Sequence, residues 1–154
     1  MDSATYLNTL DFEVRDYECD LQGVVNNAIY QHYLEHARHK WLESIGIDFA
    51  RLHEDGIDLV VARIEIDYKF PLRSRDKFVV QTGIAREGRL RLVFDQGIFR
   101  KPDDRLILLA KVIGTALKDG RPSPVQSVWE KIEPFLGELP VSKQDAFRQQ
   151  STES

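Results

Sequence analysis

A single cysteine, Cys19, occurs in 154 residues, so no disulfide can form within the chain and a small oxidised scaffold is excluded. Continuous apolar sequence is also scarce. No run approaches the roughly 20 residues of a membrane span, and the opening residues MDSATYLNTLDFEV lack the positive start and apolar core of a secretory leader. Positive charge is not in excess either: 21 Lys and Arg stand against 25 Asp and Glu, for a formal net charge of −4. A general nucleic-acid binder normally carries the opposite bias, so an anionic ligand would need a local cluster of Arg and Lys. Internal repeats and low-complexity tracts are missing too. Together these absences predict a soluble cytoplasmic protein with no nucleic-acid partner and no membrane insertion.

At 42% hydrophobic the chain can bury one sizeable core, and a single domain over residues 1–154 is expected. Its core spans about residues 10–136, followed by a polar, flexible tail over 137–154. Alternation predicts an edge strand over Asp11 to Glu18, with Phe12, Val14 and Asp16 on one side. A loop over Cys19 to Val25 follows, then Asn26 and Asn27 as helix caps. From Ala28 to Ile45 the positions Tyr30, Tyr33, Leu34, Ala37, Trp41 and Ile45 recur at threes and fours, which predicts a helix of about five turns. Gly46 suits the residue just past its end, and Asp48 to Glu54 suits a further helical turn.

After Gly56 the period drops to two. Val60, Ala62, Ile64, Ile66, Tyr68 and Phe70 share one parity, Pro71 ends that strand, and strands over 77–86, 89–101 and 105–118 follow. Glu87-Gly88 and Pro102-Asp103-Asp104 are the turns between them. Residues 121–124 read as loop, and 125–136 as a short helix using Trp129, Ile132 and Phe135. The economical architecture is α+β: a five-stranded antiparallel sheet wrapped around one long helix. Val61, Val79, Val93, Phe99, Ile107, Leu109, Ile113 and Leu117 would then leave the outer face too apolar for solvent, so a homo-oligomer is expected.

The chemistry concentrates before the long helix. Asp20 and Gly23 precede a helix start whose free N–H groups and dipole attract electron-rich oxygen, so a carboxylate and an electropositive tip meet in one place. The bland alternative for Asp20 is a loop residue that caps its own turn. Gly23 either takes positive φ or lets the backbone approach a ligand. Asp16 reads as a hydrogen-bonded strand or loop residue. Glu35 and Arg38, three apart, suit an exposed ion pair. His32, His36 and His39 share a helix face at i, i+4 and i+7, a spacing also found in helical zinc sites, but a solvated or interfacial face is favoured and no metal is expected. Cys19 has no histidine fixed beside it and reads as a small half-buried side chain.

Residues 14–38, VRDYECDLQGVVNNAIYQHYLEHAR, fit the pattern D-x-x-x-D-x-x-G-V-V-x-x-A-x-Y-x-x-Y-x-E-x-A-R. With the strands that follow, this resembles the 4-hydroxybenzoyl-CoA thioesterase family and its hotdog fold over roughly residues 10–136. The same segment and the later FPLRSRDKF are most similar to plastid acyl-lipid thioesterases and their bacterial relatives. The resemblance implies hydrolysis of a fatty acyl-CoA or acyl-carrier-protein thioester without a cofactor. It assigns Asp20 as the essential carboxylate, nucleophile or general base, and the backbone N–H near Asn27 as the group that polarises the carbonyl. Glu35 would support the site; Gly23, Val25, Asn26 and Tyr30 would border the substrate, and Arg73 and Arg75 would meet the carrier's phosphates or acidic surface. Hotdog relatives pair as dimers, often assembled into tetramers. The alternatives are an aromatic acyl-CoA thioesterase, a hotdog dehydratase, which usually needs a histidine that is missing from the loop-to-helix junction, and a non-catalytic acyl-binding module.

Overall fold

The computed structural model describes residues 6–136. Its strands are β1 (Asn8–Glu13), β2 (Ile57–Tyr68), β3 (Lys77–Glu87), β4 (Arg91–Lys101), β5 (Arg105–Lys118) and the short β6 (Arg121–Ser123); its helices are α1 (Asn27–Ser44), α2 (Phe49–Glu54) and α3 (Gln126–Leu136). The sheet runs β1-β3-β4-β5-β2, antiparallel throughout, with β6 added at the end of β5. This is the hotdog arrangement of a long helix held against an antiparallel sheet.

The apolar stripe of α1 explains that packing. Tyr30, Tyr33, Leu34 and Ala37 meet Phe78, Val80, Ile98, Leu108 and Ala110. One to three turns further on, Trp41 and Leu42 meet Ile84, Leu92, Phe94 and Val112, together with Trp129 and Ile132 of α3. Each fully buried aliphatic side chain, such as Leu34, contributes about 1.5–3 kcal/mol. The helix ends as its sequence predicts. Gly46, at φ 93°, donates to Glu43 O and Ile47 donates to Leu42 O, both at 3.0 Å, the two bonds of a Schellman motif, with Leu42 and Ile47 in one apolar cluster.

Several expectations need correction. The first strand begins at Asn8 and stops at Glu13, and residues 16–18 form a 3-10 turn instead. β2 does not keep one parity, because its ladder with β5 slips between Val61 and Arg63; Ile57 and Leu59 face inward before the slip, Ile64 and Ile66 after it, and Val60 and Ala62 are exposed. A second slip, between Ile98 and Phe99, places Ile107 in the helix-side core rather than on the outer face. Val79, Val93 and Ile113 are buried within the single chain, so the outer face is not the open apolar surface that the alternation suggested. Residues 121–123 pair as a sixth strand, and Phe135 is exposed while Val128 and Leu136 take its place in the core. The tail over 137–154 lies outside the described residues.

Candidate active site

Asp20 sits at the start of a tight hairpin. Its N–H donates to Val24 O (2.8 Å), Gly23 N–H returns to Asp20 O (3.0 Å), and Cys19 bridges Val25. Asp20 Oδ1 accepts from Gln22 N (2.9 Å) and, more weakly, from Val24 N (3.4 Å), so the carboxylate does cap its own turn. Oδ2 has no hydrogen-bond donor among the described residues, and the side chain is exposed. Gly23 has φ +79°, and a Cβ there would touch nothing within 4 Å, so backbone conformation and not lack of space selects glycine.

The hairpin is clamped on two sides. Toward the 71–76 loop, Val24 bridges Arg73, Val25 N donates to Leu72 O (2.9 Å), and Leu72 N donates to the Tyr30 hydroxyl (2.9 Å). Toward the 3-10 turn, Asn26 N donates to Glu18 O (3.0 Å), while the Tyr33 hydroxyl donates to Glu18 Oε1 (2.8 Å), which also accepts from Arg15 N. Burial first, then the bond to Glu18, pushes the Tyr33 phenol far above its ordinary value, so it remains a donor. Asp16 is tied to Ser74 through the latter's hydroxyl. Cys19 is half-buried, and burial followed by the carboxylates of Asp16, Asp20 and Glu18 pushes its thiol up, the reverse of what a nucleophilic thiolate needs.

The start of α1 completes the site. Val25 N–H and Asn26 N–H are used as above, Ala28 N–H goes to the Asn26 side chain (3.0 Å), and Ile29 N–H goes to Asn26 O (2.9 Å). Asn27 N–H has no acceptor among the described residues, and Asn27 is exposed. One open backbone donor therefore lies at the positive end of an 18-residue helix, just beyond the hairpin that presents Asp20.

The other expected residues divide. Arg73 and Arg75 are exposed on the loop beside the hairpin; Arg73 is held by its bridge to Val24, and Arg75, at φ 69°, donates its N–H to Val14 O. Asn26 is the helix cap. Val25 and Tyr30, each 3% exposed, are core supports of the hairpin rather than surfaces beside Asp20. Glu35 lies elsewhere, at a cavity along the middle of α1, and Arg38 is buried and makes no ion pair with it within 4.0 Å. The histidines do not converge: His36 packs edge-on to Phe12 and His39 against Phe49. Among the described residues no group of three His, Cys, Asp or Glu is disposed to hold a metal.

Sequence reasoning missed the Glu18–Tyr33 bond and a buried polar group of Thr82, Gln96 and Arg38. Thr82 and Gln96 share the parity of Val80 and Ile98, so polar residues on a buried face were the available signal. It also missed Arg105, whose guanidinium covers Phe70 at 4.1 Å, opposite Arg100, at the same end of the sheet as the 71–76 loop.

Residues 14–132 match the family model described as the Thioesterase-like superfamily. Over 130 residues the chain is 42% identical to the chloroplastic acyl-acyl carrier protein thioesterase ATL3 of Arabidopsis thaliana, covering 82% of this chain and 68% of the plant protein. It is 30% identical over 122 residues to the acyl-CoA thioesterase YbgC of Haemophilus influenzae, covering 77% and 88% of the two chains. A crystal structure of the 1,4-dihydroxy-2-naphthoyl-CoA thioesterase Slr0204 from Synechocystis superposes with a TM-score of 0.74 at 20% identity, over 79% of this chain and 91% of that one. The chain and its fold thus fall in the class of hotdog thioester hydrolases. The chain belongs to the Thioesterase-like superfamily. No described helix is long and apolar enough to cross a membrane.

Proposed function

We propose that the protein hydrolyses a fatty acyl thioester, on coenzyme A or acyl carrier protein, to the free acid, with Asp20 as the essential carboxylate and Asn27 N–H as the carbonyl-polarising donor. The observation that carries this is the one open N–H found at the start of α1 among the described residues, directly after the hairpin that presents an exposed carboxylate and is fastened on both sides. The thioester oxygen accepts from Asn27 N–H, where developing negative charge is stabilised by about 3 kcal/mol for one such donor. Asp20 then either attacks the carbonyl carbon, expelling the thiolate and leaving an anhydride for water to open, or takes a proton from a water that attacks directly. Either route ends in a carboxylate and a thiol. No cofactor takes part.

Gly23 and Asn26 shape the approach to that oxygen, Val25 and Tyr30 hold it from behind, and Glu35 acts only at a distance. Arg73 and Arg75, joined by Arg105, form the basic rim that meets the carrier's phosphates or acidic surface. Dimerisation through β2 is part of this reading: among the described residues β2 pairs with β5 alone, and Val60, Val61 and Tyr68 are exposed along it. Pairs of such dimers would give a tetramer working in fatty acid metabolism. A cytoplasmic location completes this reading; the lone Cys19 fits a reducing compartment in general.

The test is hydrolysis across acyl-CoA and acyl-carrier-protein substrates of graded length, with aromatic acyl-CoA included. A clear optimum among aliphatic thioesters is expected. An aromatic optimum would replace the fatty acyl assignment, and inert behaviour towards every substrate would favour an acyl-binding module.

A further inference from the structure

The 71–76 loop, which carries Arg73 and Arg75, is built into the Asp20 hairpin from both sides. On the returning strand of the hairpin, Val24 bridges Arg73, and Val25 N–H donates to Leu72 O at 2.9 Å. On the incoming side, Arg75 N–H donates to Val14 O and Val14 N–H to Asp76 O, both at 2.9 Å, and the Ser74 hydroxyl donates to the Asp16 carboxylate. Asp16 opens the 3-10 turn that delivers the chain to Asp20, and its carbonyl accepts from Cys19 N–H at 3.2 Å. Among the described residues, Ser74–Asp16 is the one of these ties that joins two side chains.

The same loop presents two cations to solvent. Arg73 and Arg75 are both exposed, and neither guanidinium has a hydrogen bond or ion pair among the described residues. Asp76 Oδ2 accepts from Arg73 N–H at 2.8 Å and Asp76 N–H returns to Arg73 O at 3.1 Å, so the two side chains leave a closed turn. Arg75 also sits at φ 69°, a left-handed backbone that glycine enters freely and a residue with a Cβ does not. Strain of this kind persists where neighbouring contacts hold it, here the bond to Val14, and it gathers at binding sites. An arginine where glycine would fit with less strain points to a use for the guanidinium.

A ligand that grips those guanidiniums therefore acts on the backbone that holds Asp20. Binding energy from a part of the substrate remote from the reacting bond is often realised as orientation at that bond, and it then appears in kcat as well as in KM. We propose that Ser74 and Asp16 are positioning residues that couple the carrier end of the substrate to the Asp20 hairpin. Phosphate or carboxylate groups of the carrier dock on Arg73 and Arg75, and the Ser74–Asp16 tie passes that constraint to the turn before Asp20. Neither residue takes part in the chemical step.

This coupling rests on the hydrolase reading above and deepens it, because the carrier becomes an activator of the site as well as a handle for binding. A tie that served only the fold would lower every activity alike when cut. One that transmits carrier contact lowers the activity that uses the carrier.

The test compares one acyl group, the best of the substrate series, on acyl carrier protein, on coenzyme A and on N-acetylcysteamine, which keeps the sulfur but lacks phosphates and protein surface. In the unaltered protein the better of the two full carriers is expected to exceed the truncated thioester in kcat by about tenfold or more. Ser74→Ala should cut that kcat by about tenfold, while KM for the same substrate and kcat for the truncated thioester each change by less than about threefold. Asp16→Ala should match it, the double variant should be no slower than either single one, and Ser74→Thr, which keeps the hydroxyl, should recover most of the loss. Circular dichroism checks the fold of each variant, and the comparison of carriers in the unaltered protein needs no variant. Equal kcat for full and truncated thioesters, an equal fall for both in Ser74→Ala, or a rise in KM without a fall in kcat would overturn the coupling and leave the hydrolase reading intact. Hydrolysis of none of the three would end both.

Discussion

The two halves of α1 treat polar groups in opposite ways. In the first half, the hydroxyls of Tyr30 and Tyr33 meet Leu72 N–H inside the core and Glu18 at its edge, and both are engaged, so the polar tips act as fasteners for the hairpin that carries Asp20. In the second half, Arg38 brings a full charge inside and satisfies only part of it, next to a cavity. A buried polar group that is fully bonded makes a rigid frame, and one left short of partners does not. The reactive groups of the first half, Asp20 Oδ2 and Asn27 N–H, stand outside that frame in solvent, and each is the open group among bonded neighbours.

Leu34 sits between the halves, 0% exposed, with its carbonyl on Gln96. Leu34→Ala removes packing common to both and is expected to cost about 2–5 kcal/mol by denaturant unfolding, the largest stability loss foreseen here. If that loss is under about 1 kcal/mol, the helix is not the shared support of the two regions.

Tyr33→Phe affects only the first half. Losing a bond to a charged acceptor predicts about 1.5–3 kcal/mol of destabilisation, together with reduced turnover as the hairpin loosens. Unchanged turnover would mean that the Tyr33–Glu18 bond does not hold the hairpin in its working position.

The same tyrosine sets an alkaline limit. Its folded-state pKa is raised by burial and by Glu18, so the contribution is complete below the unfolded value of about 10 and is lost as pH rises beyond it, where the unfolded chain releases a proton that the folded chain keeps. Unfolding free energy measured from pH 9 upward should fall less steeply in Tyr33→Phe than in the parent chain. Parallel curves would remove Tyr33 from this role.

Gly23→Ala is the mildest of the set. At φ +79° an alanine is strained by about 1–2 kcal/mol, yet nothing stands within 4 Å of its Cβ. Stability should drop by that amount and KM should rise, because the new methyl stands in the open approach to the carbonyl oxygen; an unchanged KM would mean that substrate does not pass over Gly23.

Much of this was legible in the chain. The stripe from Tyr30 to Trp41, the Asn26 cap, Gly46 and the strand at 105–118 follow from periodicity and turn chemistry alone, and the motif around Asp20 pointed to the junction where the open N–H lies. The failures have local causes. One extra residue near Ala62 reverses the facing of β2, and no composition signal announces a bulge. Arg38 was paired with Glu35 on helical spacing, whereas tertiary packing turned it inward to Gln96, 58 residues away in sequence. Tyr30 and Val25 were placed beside the substrate because they lie within the motif, but their side chains serve the core beneath it.

Asp20→Asn keeps the size of the side chain and an oxygen for the Gln22 and Val24 amides, and removes the charge. Turnover of the preferred acyl thioester by this variant, measured beside its affinity for the same substrate, is the decisive experiment. A fall in kcat of about 100-fold or more with binding retained is the expected result. Turnover within about twofold of the parent protein would mean that hydrolysis, if it occurs, is carried by other residues.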